Sequence, residues 1–471
     1  MARPLPDQSG QLRAIYYDTH DHVLRREGIS LRIRRRNGSA VQTIKAEREN
    51  RGIAMDRGEW ETPVEDELDL TAAVGTPLEP LLSQGELRDG IRPAFQVTTD
   101  RKAFEVAFDD ALIEVAVDAA QASCDDRTID FSEVELELRE GSPAALFALA
   151  RHLSEAAPLR LSTVAKSERG FRLVEDEPAR ASKAEKIELA KDATCAEAFQ
   201  AIARSCLAQM VGNEPLVRET QNPAALHQMR VGLRRLRAAL SLFKAQLLAD
   251  PESAALKDNL RWAGQTLGTA RDLDVLLERL RTQDEKPDRS QIDVVERRRS
   301  KAYEDLLETL DARRFMDVIL QAAAWVEAGD WVSTEDRSLA KARQHPARDF
   351  ASSELTRRFK RIRKLGKHLR EISDEERHAL RIRIKKLRYG SEFFASLYPS
   401  AKAQKRRKKL SAILEDLQER LGELNDLAVS NTLVPSMPEA APERVARRRK
   451  DLLDESEAAA HTLIEAKPFW S

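Results

Sequence analysis

His227-Gln-Met-Arg230-Val-Gly-Leu-Arg234-Arg235-Leu-Arg237 recurs 151 residues later as His378-Ala-Leu-Arg381-Ile-Arg-Ile-Lys385-Lys386-Leu387-Arg388. Each copy reaches a phenylalanine at the same offset, Phe243 and Phe394. Each is followed by a second shared segment, Leu267-Gly268-Thr-Ala-Arg-Asp272-Leu273-Asp-Val275 and Leu421-Gly422-Glu-Leu-Asn-Asp426-Leu427-Ala-Val429. At about 100° per residue, His227, Arg230, Arg234 and Arg237 fall at about 0°, 300°, 340° and 280°, one helical stripe. Met229, Leu233, Leu236, Leu240 and Phe243 fall between about 160° and 240°, on a separate apolar face. His378, Arg381, Lys385 and Arg388 repeat the phases of the first stripe. A merely solvated basic face needs no fixed register and usually intersperses acids for i, i+4 pairing. Neither copy has an acid between its histidine and its last cation. The duplication therefore predicts a two-fold pseudo-symmetric helical module around one anionic ligand.

Outward from the repeat, helical periodicity runs from about Ile187 onward, broken near Gln283–Ser290, His345-Pro346 and Asn431–Pro442. Upstream, the pattern changes to strands. Ile29–Arg36 and Ala40–Glu47 alternate around Asn37-Gly38, a type I′ hairpin signal. A second hairpin is expected where Asp109-Asp110 separates Phe104–Phe108 from Ala111–Asp118. Phe131–Arg139 alternates strictly, Ser142-Pro143 opens a helix to about Glu155, and Leu159–Val174 reads as extended. The polar stretch from Glu175 to Lys183 reads as a linker. The expected division is a strand domain at 1–175, a linker at 176–186 and a helical domain at 187–471, too long together for one core.

Charge follows this division. Residues 1–180 hold 24 Lys and Arg against 34 Asp and Glu, whereas the remainder holds 54 against 45. The basic part suits a polyanion and the acidic part suits a divalent metal. Three cysteines without ligand spacing fit a reducing compartment, and the chain start lacks a signal-peptide core. No apolar run is long enough to span a bilayer, so a soluble cytoplasmic protein is expected. Neither a phosphate-binding glycine loop, a nucleophile elbow nor a zinc spacing is present.

The strands carry charge in same-sign ladders. Arg32, Arg34 and Arg36 share one face at spacing two, as do Thr43 and Lys45, Glu114 and Asp118, and Glu133, Glu135 and Glu137. Like charges stacked on one face repel, unless each ladder meets opposite charge, metal or phosphate. A closed antiparallel barrel with a polar bore would provide that.

Tyr16-Tyr17-Asp18-Thr19, Gly28-Ile-Ser-Leu31-Arg32-Ile33-Arg34-Arg35 and Gln42-Thr43-Ile44-Lys45 resemble the CYTH triphosphate tunnel metalloenzymes. So do Ile113-Glu114-Val-Ala-Val-Asp118, Glu133-Val-Glu135-Leu-Glu137-Leu and Lys166-Ser-Glu-Arg169-Gly-Phe. The helical part resembles the CHAD domain, above all in His227-x-x-Arg230-Val, Arg271-Asp272-Leu-Asp274-Val and Leu387-Arg388-Tyr389. The resemblance implies an α+β multidomain protein, with an N-terminal antiparallel β-barrel and a C-terminal all-α duplicated helical bundle. It implies a bore in which Arg32, Arg34, Lys45, Arg101, Lys166 and Arg169 bind inorganic triphosphate. Glu114, Asp118, Glu133, Glu135 and Glu137 would hold Mg2+ or Mn2+ or orient water. Glu135, Glu137, Lys45 and Arg34 are the expected catalytic set.

For the helical domain the resemblance implies binding of inorganic polyphosphate. His227, Arg230, Arg234, Arg237, His378, Arg381, Lys385, Arg388 and Tyr389 are the expected contacts, and polyphosphate granules a candidate location. One departure stands out: the family opens with a strand bearing Glu-x-Glu-x-Lys, and residues 1–15 contain no such motif. The barrel is therefore expected to lack its first strand, either because the chain start is assigned too late or because the barrel is naturally open and lacks part of its metal site. The leading expectation is a metal-dependent inorganic triphosphatase with a polyphosphate-binding domain. The alternatives are a non-enzymatic polyphosphate-binding or granule-associated protein, and a basic helical protein acting on nucleic acid. The absence of a helix-turn-helix or aromatic RNA-binding motif weighs against the last, so no nucleic-acid partner is expected.

Overall fold

The computed structural model describes residues 2–47, 57–83, 85–175, 179–244, 251–282, 289–433 and 442–470. Eight strands form one antiparallel sheet: β1 (Ala2–Pro4), β2 (Gly10–Asp18), β3 (Ile29–Arg36), β4 (Ser39–Glu47), β5 (Arg57–Val64), β6 (Arg92–Phe108), β7 (Ala111–Cys124) and β8 (Arg127–Glu140). Their order is β5-β4-β3-β2-β6-β7-β8, with β1 paired to β6. The β3–β4 turn has the left-handed backbone its Asn37-Gly38 demands, at φ 49° and 82°. Asp109 takes φ 50° in the turn joining β6 to β7.

The sheet does not close into the expected barrel: among the described residues no ladder joins β5 to β8. The sheet is also one position narrower than its number of strands. Pro4 pairs with Phe104 and Gly10 with Arg101, so β1 and β2 lie end to end along β6, interrupted at Pro6–Gln8. They occupy one lateral position, and the sheet is seven positions wide.

One face of β3 and β4 buries Ile29, Leu31, Ile44 and Ala46 against Leu24, Ala73, Leu78 and Leu87 from short helices α1 (Val23–Arg26), α2 (Glu79–Leu82) and α3 (Gly85–Gly90) and the turn before them. Asp18 anchors α1 by accepting bonds from the Leu24 and Arg25 amides. Helix α4 (Pro143–Ala156) starts as expected, with the Ser142 hydroxyl accepting from the Ala144 amide. The stretch expected to be extended through Val174 instead contains helix α5 (Lys166–Glu175). It buries Gly170 and Phe171 and turns Lys166 toward the acids of the sheet.

The remaining helices are α6 (Cys195–Thr220), α7 (Pro223–Leu242), α8 (Pro251–Thr282), α9 (Arg289–Asp311), α10 (Arg313–Ala328), α11 (Asp330–Ser333), α12 (Arg337–Arg343), α13 (Ala347–Gly366), α14 (Asp374–Phe393), α15 (Ala401–Leu433) and α16 (Pro442–Glu465). The breaks expected near Gln283–Ser290 and Asn431–Pro442 lie largely outside the described residues. None of the described helices is long and apolar enough to cross a membrane.

The chain forms two compact units. One holds residues 1–182, 211–220 and 313–329, and the other holds 183–210, 221–312 and 330–471. This grouping differs from a single cut at 176–186 because α10 packs on α4. In the second unit the repeats meet in the core: Phe243 and Phe394, both fully buried, lie 5.9 Å apart by ring centroid. Asn222 caps α7 and a Ser373–Glu376 capping box starts α14, so each basic helix has a fixed beginning.

Candidate functional site

Strand register decides which charges share the sheet's second face. Arg32 pairs with Tyr16 and Thr43, Lys45 pairs with Glu59, and Thr43 with Glu61. On the far half, Arg101 pairs with Asp118, Asp118 with Glu133, Ala116 with Glu135 and Glu114 with Glu137. Directly paired residues point the same way. Arg32, Arg34, Lys45, Arg101, Glu114, Asp118, Glu133, Glu135 and Glu137 therefore lie on one face, with Lys166 and Arg169 brought to it by α5.

Two clusters form there. In the first, Arg101 is bidentate to Asp118 at 2.8 and 2.6 Å and reaches Glu135 at 2.6 Å. The Lys166 ammonium lies 2.9 Å from Asp118 and 2.8 Å from Glu135 and also bonds Glu133. Burial alone would raise the Glu135 carboxyl, but Lys166 and Arg101 hold it down at about 2. Burial raises Glu133, against the pull of Lys166. Burial opposes the charge on Lys166, yet the three acids push its pKa up. Arg169 lies over the Phe131 ring at 4.8 Å, and burial lowers its pKa.

In the second cluster, Lys45 pairs with Glu59 at 2.9 Å and Arg34 with Glu61 at 3.2 Å. Arg32 meets the Tyr16 hydroxyl at 3.4 Å. Burial and then the charge of Arg32 push both Lys45 and Arg34 below their ordinary values. These cations are crowded and desolvated, a state that an incoming anion relieves.

Of the five expected metal ligands, Asp118, Glu133 and Glu135 converge, with donor oxygens within 4.8 Å of one another. Glu114 and Glu137 are drawn off by Arg139, at 2.6 and 2.8 Å. That residue went unread in the sequence, although it continues the alternation of Glu133 to Glu137. Glu59 and Glu61 were also missed, and their spacing of two was the signal. The convergent donors are all carboxylate oxygens, the ligand type that Mg2+ and Mn2+ take. A cationic group already sits among them, so the set fits a divalent ion.

The helical repeat builds another cationic surface. Arg230 donates to the Gly268 carbonyl at 2.6 Å and to Asp272 at 2.9 Å. The second copy repeats the approach: a Cβ on Gly422 would lie 3.1 Å from the Arg381 guanidinium. The shared Leu-Gly step thus marks where each arginine lies against the neighbouring helix. The side chain of Asp426, counterpart of Asp272, lies outside the described residues. His378 meets Asn425 at 2.7 Å and Arg388 meets Glu415 at 3.2 Å.

The two stripes converge. Burial, then Arg381, Arg234, Arg388 and Arg230, push Lys385 down to about 7. Burial and Arg271, Arg234 and Arg230 push His227 down to about 4. Among the described residues, neither Arg234 nor Lys385 meets an acid, and the buried Arg234 Nε has no acceptor. Arg237 is exposed, with Arg261 the cation that lowers its pKa after burial. Tyr389 lies under the Arg388 guanidinium, which is 5.6 Å from its ring centroid. It is 5% exposed and stacks on Phe393. Phe393 lies one helical turn further on and claims the ring for packing. The buried Arg235, unread as special, binds Gln209 at 2.8 Å and Glu392 at 3.0 Å.

Two domain families match the chain, CYTH over residues 3–171 and CHAD over residues 201–435. Among solved structures, the CHAD domain from the plant Ricinus communis is 30% identical, covering 60% of this chain and 97% of that one at a TM-score of 0.48. PptA from Streptomyces chartreusis is 18% identical, covering 58% of this chain and 98% of its own, at 0.37. A Hippeastrum protein, a candidate adenylyl cyclase described as revealing a dominant triphosphatase activity, is 15% identical over 35% of this chain and 82% of its own, at 0.26.

Proposed function

This chain belongs to the proteins that join a CYTH domain to a CHAD domain, and on that premise we propose that it hydrolyses inorganic triphosphate on the strand domain and binds inorganic polyphosphate on the helical one. The observation that carries the first half is the shared sheet face, where crowded Arg32, Arg34 and Lys45 stand across from convergent Asp118, Glu133 and Glu135. Arg32, Arg34, Lys45 and Arg101 would bind and orient the phosphate chain, the arginines by planar bidentate contacts. Arg169 and Lys166 would cover it from α5. Asp118, Glu133 and Glu135 would hold Mg2+ or Mn2+, which supplies charge neutralisation at the transferred phosphoryl group and a more acidic water. The second half rests on Arg234 and Lys385, cations without acid partners among the described residues where the two stripes converge. A phosphate polymer has charge and no bases, so it asks for cations and no stacking platform.

The test is phosphate release from tripolyphosphate by the full chain, with Mg2+ or Mn2+ and with EDTA. Metal-dependent release supports the reading, and release insensitive to EDTA sinks it. The open sheet favours one rival, a polyphosphate-binding protein without catalysis. That rival predicts no release under any metal, with polyphosphate binding intact.

A further inference from the structure

One lysine holds the place that the proposed metal would take. The Lys166 side chain is only 12% exposed, and its ammonium contacts all three convergent carboxylates, of Asp118, Glu133 and Glu135. Its position is built, not incidental. Arg25 pairs with Glu168 at 2.8 Å and with Glu175, at the two ends of α5, and lies over the Phe171 ring at 5.0 Å. Phe171 packs edge-on against Phe95 at 4.9 Å. Any Cβ on Gly170 would fall 2.0 Å from the Phe95 ring, so the absent side chain lets α5 sit this close to the sheet. Arg101, by contrast, reaches Asp118 and Glu135 from within the sheet and leaves Glu133 to Lys166.

We propose that Lys166 is a tethered competitor for the divalent cation: metal enters only when this ammonium leaves the three acids, and a bound phosphate chain gives it somewhere to go. The inference rests on the metal-dependent reading above and adds an order of events to it. Arg101 already shares these carboxylates with Lys166, so a divalent ion that entered while the ammonium stayed would be a third cation on three acids whose donor oxygens lie within 4.8 Å of one another. Triphosphate, by drawing Lys166 away, would raise metal affinity, and by linkage metal would raise triphosphate affinity. With Arg101, Lys166 thereby balances two of the three acid charges while substrate is absent.

The experiment is direct Mn2+ binding to the full chain, read by electron paramagnetic resonance of the free ion, without substrate. Wild type, Lys166→Met, Lys166→Arg and the double variant Lys166→Met/Glu135→Gln are compared, each checked for fold by circular dichroism and Tm. Lys166→Met should bind Mn2+ about tenfold tighter than wild type, from removal of one adjacent like charge. Lys166→Arg should stay weak, and the double variant should lose the gain. Should Lys166→Met fail to fold, Lys166→Gln replaces it, being neutral yet able to donate to the carboxylates. If the folded neutral variant binds no tighter than wild type, the competitor role is wrong while the metal site stands. If no folded protein binds Mn2+ at all, both the competitor role and the metal-dependent reading fall.

Discussion

Lys385 lies among Arg381, Arg234, Arg388 and Arg230, and its pKa of about 7 contrasts with 10.5 for an unburdened lysine. Between those values the unfolded chain binds more protons than the folded one, so stability of the free protein should rise with pH across that window. A bound polyanion favours the charged lysine, so affinity should fall as pH climbs through about 7. Melting curves of wild type and Lys385→Met from pH 6.5 to 9 check the first point. A pH slope equal in both would remove Lys385 as its source. On the sheet, Glu135→Gln should cost about 10–100-fold in activity and recover partly with added metal. Arg34→Ala should raise KM by about tenfold, with no metal rescue, because it removes a charged hydrogen-bonding group. Glu137→Gln should do less than Glu135→Gln, since Arg139 holds Glu137 away from the convergent acids. The ladders were legible because spacing two puts alternate side chains on one face. What they pair with was not, because Glu59 and Glu61 arrive through the β4–β5 register. Tyr389 has one helical phase whether it faces ligand or Phe393, so phase does not choose between the two.

Helix α5 is the element that sequence reading mistook. Its ten residues follow an irregular stretch, and it is held by partners from other elements: Phe95, and Arg25 through Glu168 and Glu175. No local period reveals those partners. Gly170→Ala should be damaging out of proportion to one methyl group. The added carbon meets Phe95, and overpacking of this kind costs about 1–3 kcal/mol. The helix would back away and carry Lys166 and Arg169 with it. Steady-state kinetics should register a raised KM for triphosphate together with a lowered Tm. An unchanged KM with a lowered Tm would mean that α5 stabilises the sheet without serving the site. By comparison the basic stripes of α7 and α14 were legible, since their period is local, whereas the caps at Asn222 and Ser373 were not read.

The two units share out the chain unevenly, which bears on how each half can be tested. Helix α10 buries Phe315, Val318, Ile319 and Ala322 and packs on α4. A fragment beginning at residue 187 would lose α4 and expose that apolar face, so binding belongs to the full chain. There, Arg230→Glu with Arg381→Glu should abolish polyphosphate binding, and each single change should weaken it by at least about tenfold. Reversal of Arg406 and Arg407, which contact the Pro468 carbonyl and Gln404, should matter far less. Affinity should fall steeply with salt by counterion release. Equal damage from the control pair, seen in the same titrations, would mean that bulk charge is being read. The open sheet carries one more consequence. An unpaired strand edge is a template for another chain, and same-sign charge is a common guard against such stacking. Along β8, whose outer edge has no ladder among the described residues, that guard is the polar row of Glu133, Glu135 and Glu137, two of which, Glu133 and Glu135, are also assigned to chemistry. Neutralising them should therefore make the protein sticky as well as slow, and light scattering belongs beside every assay of those variants.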